Sequence, residues 1–483
     1  MDLNIPEQDI LSRLAEDNPW WSPGGAVARF YTEMPRRSYF QGFHSLLTDR
    51  AVRRAVLLMG PRRVGKTVLL HQAAHELLTS GIEPRRLLYV SVDTPTYSGL
   101  PLEKLVRLFL TRNGLAREDE FFVLFDEIQY LKDWEVHLKS LVDSFLAARF
   151  AASGSAAAAL KRGSRESGAG RFTDFILPPL TFAEYLRFIG REKELTSPYA
   201  WLGPQPAIEL NREFVNYINF GGYPEAVMSP AVREDPGRYI RNDIIDKVLL
   251  RDLPSLYGIR DIQELNRLFA TLAYNTGNEV SLDALAQSSG VAKNTLKKYL
   301  EYLEAAFLIV RVPRVGEAGK AFQRAKFFKV YLTNPAMRAA LFMPVSEDDP
   351  RMGNLVETAI FSQVAHLGDM ANVRYARWKG GEVDLVFLDG QARPSMLMEI
   401  KWSDRVFYDT GEIKGLVGFA RRTKPAFVNV ATKTVSGSKE VEGVALSFSP
   451  CSTWCHTLGK VIVTSKMGEL AWFEALQPRP GGE

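Results

Sequence analysis

Short, uninterrupted apolar runs alternate with longer stretches of helical period between residues 55 and 190. This alternation predicts a parallel sheet with helices on both faces, because strands buried on two sides lose the in-out pattern of half-exposed ones. The expected strands are residues 55–59, 87–92, 121–125, 149–152 and 173–177. Beyond residue 190 the pattern changes. Residues 191–260 mix helical period with several prolines and read as a helical connector without chemistry of its own. From Ser281 to Phe307 two helical stretches meet at Ser289-Gly290, the signature of a helix-turn-helix. Leu308-Ile309-Val310 and Phe327-Phe328-Lys329-Val330-Tyr331 follow as two strands, and Glu382–Phe387 and Leu397–Lys401 alternate as two more. The expected class is α/β.

The first expected strand runs directly into Gly60-Pro61-Arg62-Arg63-Val64-Gly65-Lys66-Thr67, a complete G-x-x-x-x-G-K-[ST], with Val68 continuing into a helix. Strand, glycine loop and helix in that order form a phosphate cradle. The glycines let successive backbone N–H groups face the phosphates, and the helix adds its positive end. Lys66 would reach the β- and γ-phosphates, and Thr67 would offer its hydroxyl to Mg²⁺. The run Phe121–Phe125 ends in Asp126-Glu127. Asp126 is the candidate for the Mg²⁺ shell, and Glu127, one residue further out, is the candidate base for an attacking water. The fourth strand leads into Ser153-Gly154-Ser155, hydroxyls placed to contact the γ-phosphate or the water. Next comes a glycine- and serine-rich stretch, Lys161–Arg171. Arg171 is its candidate arginine finger; a solvated loop arginine is the alternative.

In the second helix of the helix-turn-helix, Val291, Leu296, Leu300, Leu303 and Phe307 share one face and leave Lys293, Asn294, Lys297 and Lys298 outward. These side chains suit phosphates and base edges. Arg311, Arg314, Lys320, Arg324 and Lys326 would make a basic wing, although Glu301 and Glu304 dilute the face and such modules also dock proteins. Further on, Asp384, Glu399 and Lys401 lie on two alternating strands, and Glu357 on a helix completes a possible metal shell; carboxylates there would hold Mg²⁺ while the lysine orients water. Polar residues on an ordinary hairpin would look the same.

At 483 residues two to four domains are expected, and a net charge of +4 neither demands nor excludes nucleic acid. Recurrent arginine pairs, Arg36-Arg37 among them, read as solvated faces. Cys451 and Cys455, with only His456 nearby, do not complete a zinc site and read as free thiols of a reducing cytoplasm. The first residues lack a basic n-region and an apolar h-region, and no run approaches 18 apolar residues. The expectation is a cytoplasmic protein that neither spans a membrane nor is exported.

The chain resembles prokaryotic AAA+-type ATPases with an uncharacterised C-terminal region of restriction-endonuclease-like, PD-(D/E)XK-type fold. The motifs that carry the resemblance are Gly60–Thr67, Phe125–Gln129 followed by Trp134, Ser153–Ser155, Gly170-Arg171, Leu177–Leu186, Gly221–Glu225, and the Glu-x-Asp and Glu-x-Lys pair. It implies ATP binding and hydrolysis, with Arg171 as finger or sensor; Mg²⁺ as cofactor, DNA as partner and a homo-oligomer are expected beside it. It does not settle cutting. The strand Arg149–Ala152 is poorer in β-branched residues than the family pattern, which bears on the sensor role of Ser153 and Ser155. The implied organisation is an N-terminal segment 1–40, a P-loop core 41–190, the connector 191–260, a winged helix 261–335, a nuclease-like α/β domain 336–465 and a tail 466–483. The competing reading is a nucleotide-dependent switch whose C-terminal domains dock proteins.

Overall fold

Ala55–Met59 forms strand β1, buried at all five positions, in a computed structural model that describes residues 5–155, 170–196, 204–316, 327–367 and 370–464. The chain divides into two units, Met1–Pro178 and Pro179–Glu483.

In the first unit β1 is joined by β2 (Leu87–Ser91), β3 (Phe122–Asp126), β4 (Arg149–Gly154) and β5 (Phe172–Ile176). All pair in parallel, in the order β2-β3-β4-β1-β5. The expected strands are therefore present, each end within two residues of its predicted place. Inserting β4 between β1 and β3 brings the carboxyl ends of all three to one crevice, the position at which open parallel sheets bind ligands. Ala151 and Ala152, in the strand poor in β-branched residues, are fully buried there.

The N-terminal segment has a structural task that the sequence did not announce. Helix α1 (Glu7–Asp17) leads to Asn18, whose side chain copies a strand: Nδ2 donates to the Tyr89 carbonyl at 2.9 Å and Oδ1 accepts from the Tyr89 N–H at 2.6 Å. Trp20 and Trp21 both donate to the Leu87 carbonyl, at 3.1 and 2.9 Å. The outer edge of β2 would otherwise present open backbone groups; these contacts close it. Helix α2 (Lys66–Thr79) follows the glycine loop.

The second unit contains, in chain order, α3 (Pro204–Phe220), α4 (Ile262–Tyr274), β6 (Glu279–Ser281), α5 (Leu282–Ser289), α6 (Lys293–Ala305), β7 (Ile309–Val315), β8 (Phe327–Leu332) and α7 (Met352–Val364). Then come β9 (Val373–Trp378), β10 (Gly381–Leu388), β11 (Pro394–Ile400), β12 (Phe427–Thr432), β13 (Gly437–Val441) and β14 (Val444–Pro450). The strands make one mixed sheet in the order β13-β14-β12-β11-β10-β9-β7-β8-β6. Ser281 caps α5 by accepting from the Ala284 N–H. Gly290 ends it with φ +74°, a left-handed turn that costs glycine least. Residues of the expected connector are structural: Phe214 and Tyr217 of α3 lie in one core with Tyr331, Ile360 and Trp454. Among the described residues no helix is long and apolar enough to cross a membrane.

Candidate functional site

The glycine loop turns where its residues allow. A Cβ at Gly60 would stand 2.2 Å from the Leu177 carbonyl oxygen, so only glycine fits against the chain leaving β5. Gly65 has φ +94° and begins α2, whose positive amino end suits anion oxygens. Lys66 is buried and its Nζ donates to the Gly60 and Pro61 carbonyls at 3.1 and 2.7 Å.

Asp126, 2% exposed, gathers three hydroxyls: Thr67 Oγ1 donates to Oδ2 at 2.7 Å, Tyr89 OH to Oδ2 at 3.0 Å, and Ser153 Oγ to Oδ1. Glu127 follows with φ +55° and ψ +45°, a left-handed turn for a non-glycine residue that costs on the order of 1 kcal/mol. The turn directs its N–H to Ser153 Oγ at 3.0 Å, and Gln129 Nε2 donates to its carboxylate. The other end of Gln129 accepts from the Ser155 N–H at 3.1 Å. Burial pushes the Glu127 carboxyl up, Lys66 opposes this, and Asp126 adds to it.

Lys66, Thr67, Asp126, Glu127 and Ser153 are thus brought to one place. Arg171 is not. It precedes β5, whose Phe172 pairs with Ala55 and whose Ile176 pairs with Met59, so it stands at the amino end of the sheet. At about 3.3 Å per residue, five strand residues separate it from the loop by on the order of 16 Å. There it pairs with Asp143. This position does not suit a finger for the site of its own domain. Residues 156–169, the rest of that stretch, lie outside the described residues.

Sequence reasoning missed four side chains. Arg37, read as part of a solvated pair, is 5% exposed and donates to the Val64 carbonyl at 2.7 Å and the Pro178 carbonyl at 2.9 Å; it braces the loop from behind. Tyr89 and Gln129 hold the two carboxylates. The fourth is Lys329.

In the second unit α6 exposes Lys293, Asn294, Lys297 and Lys298 and buries Leu296, Leu300 and Leu303, as expected. Lys293 pairs with Asp283. Arg311, expected in a basic wing, donates to Glu304 from its guanidinium and, at 2.9 Å, from its backbone N–H. Arg314 lies 3.8 Å from Glu279, while Lys320, Arg324 and Lys326 fall outside the described residues. The acids of the expected nuclease-like site converge differently from a metal shell. Lys329 Nζ of β8 stands 2.8 Å from Glu357 Oε1, 2.6 Å from Glu382 Oε1 and 3.5 Å from Asp384 Oδ1. Asp384 Oδ2 accepts from the Ile400 N–H at 2.9 Å, and Lys401 Nζ pairs with Glu399 at 2.7 Å. Among the described residues no three acids, histidines or cysteines are arranged to hold a metal ion. Burial pushes Glu357 to about 7 and Glu399 to about 8. A lysine inside the apolar run Phe327–Leu332 was the sequence signal for this contact.

Residues 52–186 match the family model of an AAA domain, and residues 211–348 match a domain of unknown function, DUF8612. An uncharacterized protein of Haemophilus influenzae is 24% identical over 337 residues, 68% of this chain and 78% of that protein. One of Methanocaldococcus jannaschii is 27% identical over 332 residues, 63% of this chain and 66% of its own. Among solved structures, a Thermotoga maritima RuvB variant shares 19% identity at TM-score 0.27, covering 60% of this chain and 91% of that one. AMPPCP-bound DnaA from Aquifex aeolicus shares 14% at TM-score 0.27, covering 55% and 86%. Likenesses at this TM-score do not bear on function. With the family match, the parallel sheet and the loop, residues 52–186 are an AAA-type P-loop ATPase domain.

Proposed function

We propose that the protein binds and hydrolyses ATP at the carboxyl ends of β1, β3 and β4, and that its second unit contacts DNA through the exposed face of α6. The observation that carries the first half is the convergence of Lys66, Thr67, Asp126 and Glu127 on one crevice, with Thr67 and Asp126 linked at 2.7 Å. A hydroxyl and a carboxylate side by side are hard oxygen donors and fit Mg²⁺, which is held by one or two carboxylates together with phosphates and water. When bound, that ion neutralises charge on the β- and γ-phosphate oxygens. Lys66 adds its ammonium on the same phosphates, and the first-turn N–H groups of α2 orient them. Glu127 takes the proton of the attacking water, with its carboxylate aimed by Gln129 and its backbone fixed by Ser153. Arg171 enters only in trans, as a finger for the site of a neighbouring copy in a homo-oligomer.

For the second half, the order α4-β6-α5-α6-β7-β8 suits a winged helix, in which α6 would present Lys293, Asn294, Lys297 and Lys298 to phosphates and base edges. We read β9 to β12 with α7 as a nuclease-like module that binds without cutting. One observation favours the alternative of protein docking: Arg311, Arg314 and Lys293 are engaged with Glu304, Glu279 and Asp283. ATP turnover by the full chain, with and without single-stranded, duplex and branched DNA, separates the readings. DNA stimulation that fades steeply with salt is expected. Turnover indifferent to every DNA supports docking, and no turnover at all removes the ATPase reading.

A further inference from the structure

We infer that Lys329 is a built-in cation of the second unit: its ammonium permanently occupies the acid cluster of Glu357, Glu382 and Asp384, in the place where a divalent metal ion would bridge them. An ammonium carries three N–H donors, and Lys329 meets three carboxylates, at 2.8, 2.6 and 3.5 Å, with its side chain 4% exposed. The acids come from α7 and β10 and the lysine from β8, so three ion pairs between separate elements have to be satisfied together. The Tyr331 hydroxyl, two residues along β8, donates to the same Glu357 oxygen at 2.5 Å. Lys329 Nζ also lies 5.4 Å from the Tyr375 ring centre, so an aromatic wall stands beside it.

The arrangement leaves little for a metal. Glu399 is engaged with Lys401 through Oε1, while its Oε2 is buried without a hydrogen-bond partner among the described residues. Asp384 spends its second oxygen on the Ile400 N–H. Magnesium requires oxygens at about 2.0–2.1 Å in near-octahedral array, and an ammonium held among the same acids excludes it by volume and by charge. The cluster therefore acts as a lock that ties the β7–β8 hairpin to α7 and β10. Removing the ammonium while keeping the bulk, as Lys329→Met does, leaves buried carboxylates that a divalent cation satisfies. The chemical class of ligand is a hard divalent metal ion, taken only by the unlocked variant. This inference does not rest on ATP or DNA binding, and it stands or falls by metal uptake alone.

The test is Mn²⁺ binding to the full chain without nucleotide, followed by electron paramagnetic resonance, in wild type, Asp384→Asn, Lys329→Met, and Lys329→Met with Asp384→Asn. Wild type and Asp384→Asn are expected to take up equal Mn²⁺, whatever the first unit contributes. Lys329→Met gains one site at least tenfold tighter than any in wild type, and adding Asp384→Asn removes it. A folded Lys329→Met protein without the added site overturns the inference. So does a wild-type site lost in Asp384→Asn, a comparison that decides the matter even if Lys329→Met does not fold.

Discussion

Thr67 Oγ1 donates to Asp126 Oδ2 at 2.7 Å, joining the first turn of α2 to the end of β3. Residues 59 apart in the chain meet because β4 separates β1 from β3 and turns both strand ends to one crevice. Tyr89 and Ser153 fix the same carboxylate from either side, so its position is set before any ligand arrives. Lys66→Ala is expected to lower ATP turnover by at least 10²–10³-fold, roughly the loss on removing one charge-stabilising donor, in a phosphate-release assay. Tyr89→Phe, which removes one of the three hydroxyls that donate to Asp126, is expected to raise the Mg²⁺ concentration needed for half-maximal turnover while the melting temperature stays close to wild type.

Glu127 sets the acid side of the pH profile. Burial raises its carboxyl, while the Gln129 amide stabilises the charged form and lowers it. Because the base works deprotonated, turnover should rise with pH through a range above that of ordinary carboxylates. Gln129→Ala removes the lowering contact, so the acid limb should move to higher pH. An unmoved limb would show that Gln129 does not hold the catalytic carboxylate.

Arg171 stands at the wrong end of its own sheet for the site beside it. If it serves a neighbouring copy, activity per protomer rises with protein concentration, and mixing Arg171→Ala with Lys66→Ala protein restores part of the turnover. Mixing without recovery, across concentrations at which the protein associates, would remove Arg171 from the mechanism.

The acid cluster makes the second unit sensitive to pH. Glu357, Glu382, Asp384 and Glu399 face Lys329 and Lys401, with Arg377 3.6 Å from Glu382 and the Tyr331 hydroxyl on Glu357, and burial raises Glu357 to about 7 and Glu399 to about 8. A carboxyl raised on folding contributes stability that is complete below its unfolded value and lost as pH climbs through the folded one. Thermal stability should therefore fall between about pH 5 and pH 8, by a few kcal/mol in order of magnitude. Glu357→Gln should flatten the fall. A calorimetric profile that rises over this window would contradict the assignment.

On α6, Lys297→Glu with Lys298→Glu should weaken DNA binding and reduce its salt slope by about one unit per lost phosphate contact. ATP binding should be unaffected. Equal affinity at low salt would assign the face to protein docking.

The parts of this account legible in the sequence are those whose partners are local. Gly60–Thr67 and Phe121–Glu127 are each strand and turn in one short segment, so their spacing revealed both geometry and chemistry. The outward lysines of α6 followed from helical period in the same way. The partners of Arg37, Asn18 and Lys329 were illegible, even where a lysine in an apolar run stood out, because each acts on a backbone or carboxylate brought near only by the fold: Arg37 on Val64 and Pro178, Asn18 on Tyr89, Lys329 on Glu357 and Asp384. Whether Arg171 could reach its own domain's site was illegible too. It follows only from the parallel pairing of β5 with β1, which sets Arg171 at the amino end of the sheet.

The most direct test of the central claim is single-turnover hydrolysis of radiolabelled ATP by wild type and Glu127→Gln protein, with bound nucleotide separated and identified. The account requires Glu127→Gln to retain ATP with near wild-type affinity, since Lys66, Thr67 and Asp126 are intact, and to leave it uncleaved while wild type converts it to ADP. Hydrolysis by Glu127→Gln at the wild-type rate, or a wild-type protein that retains no nucleotide, would contradict it.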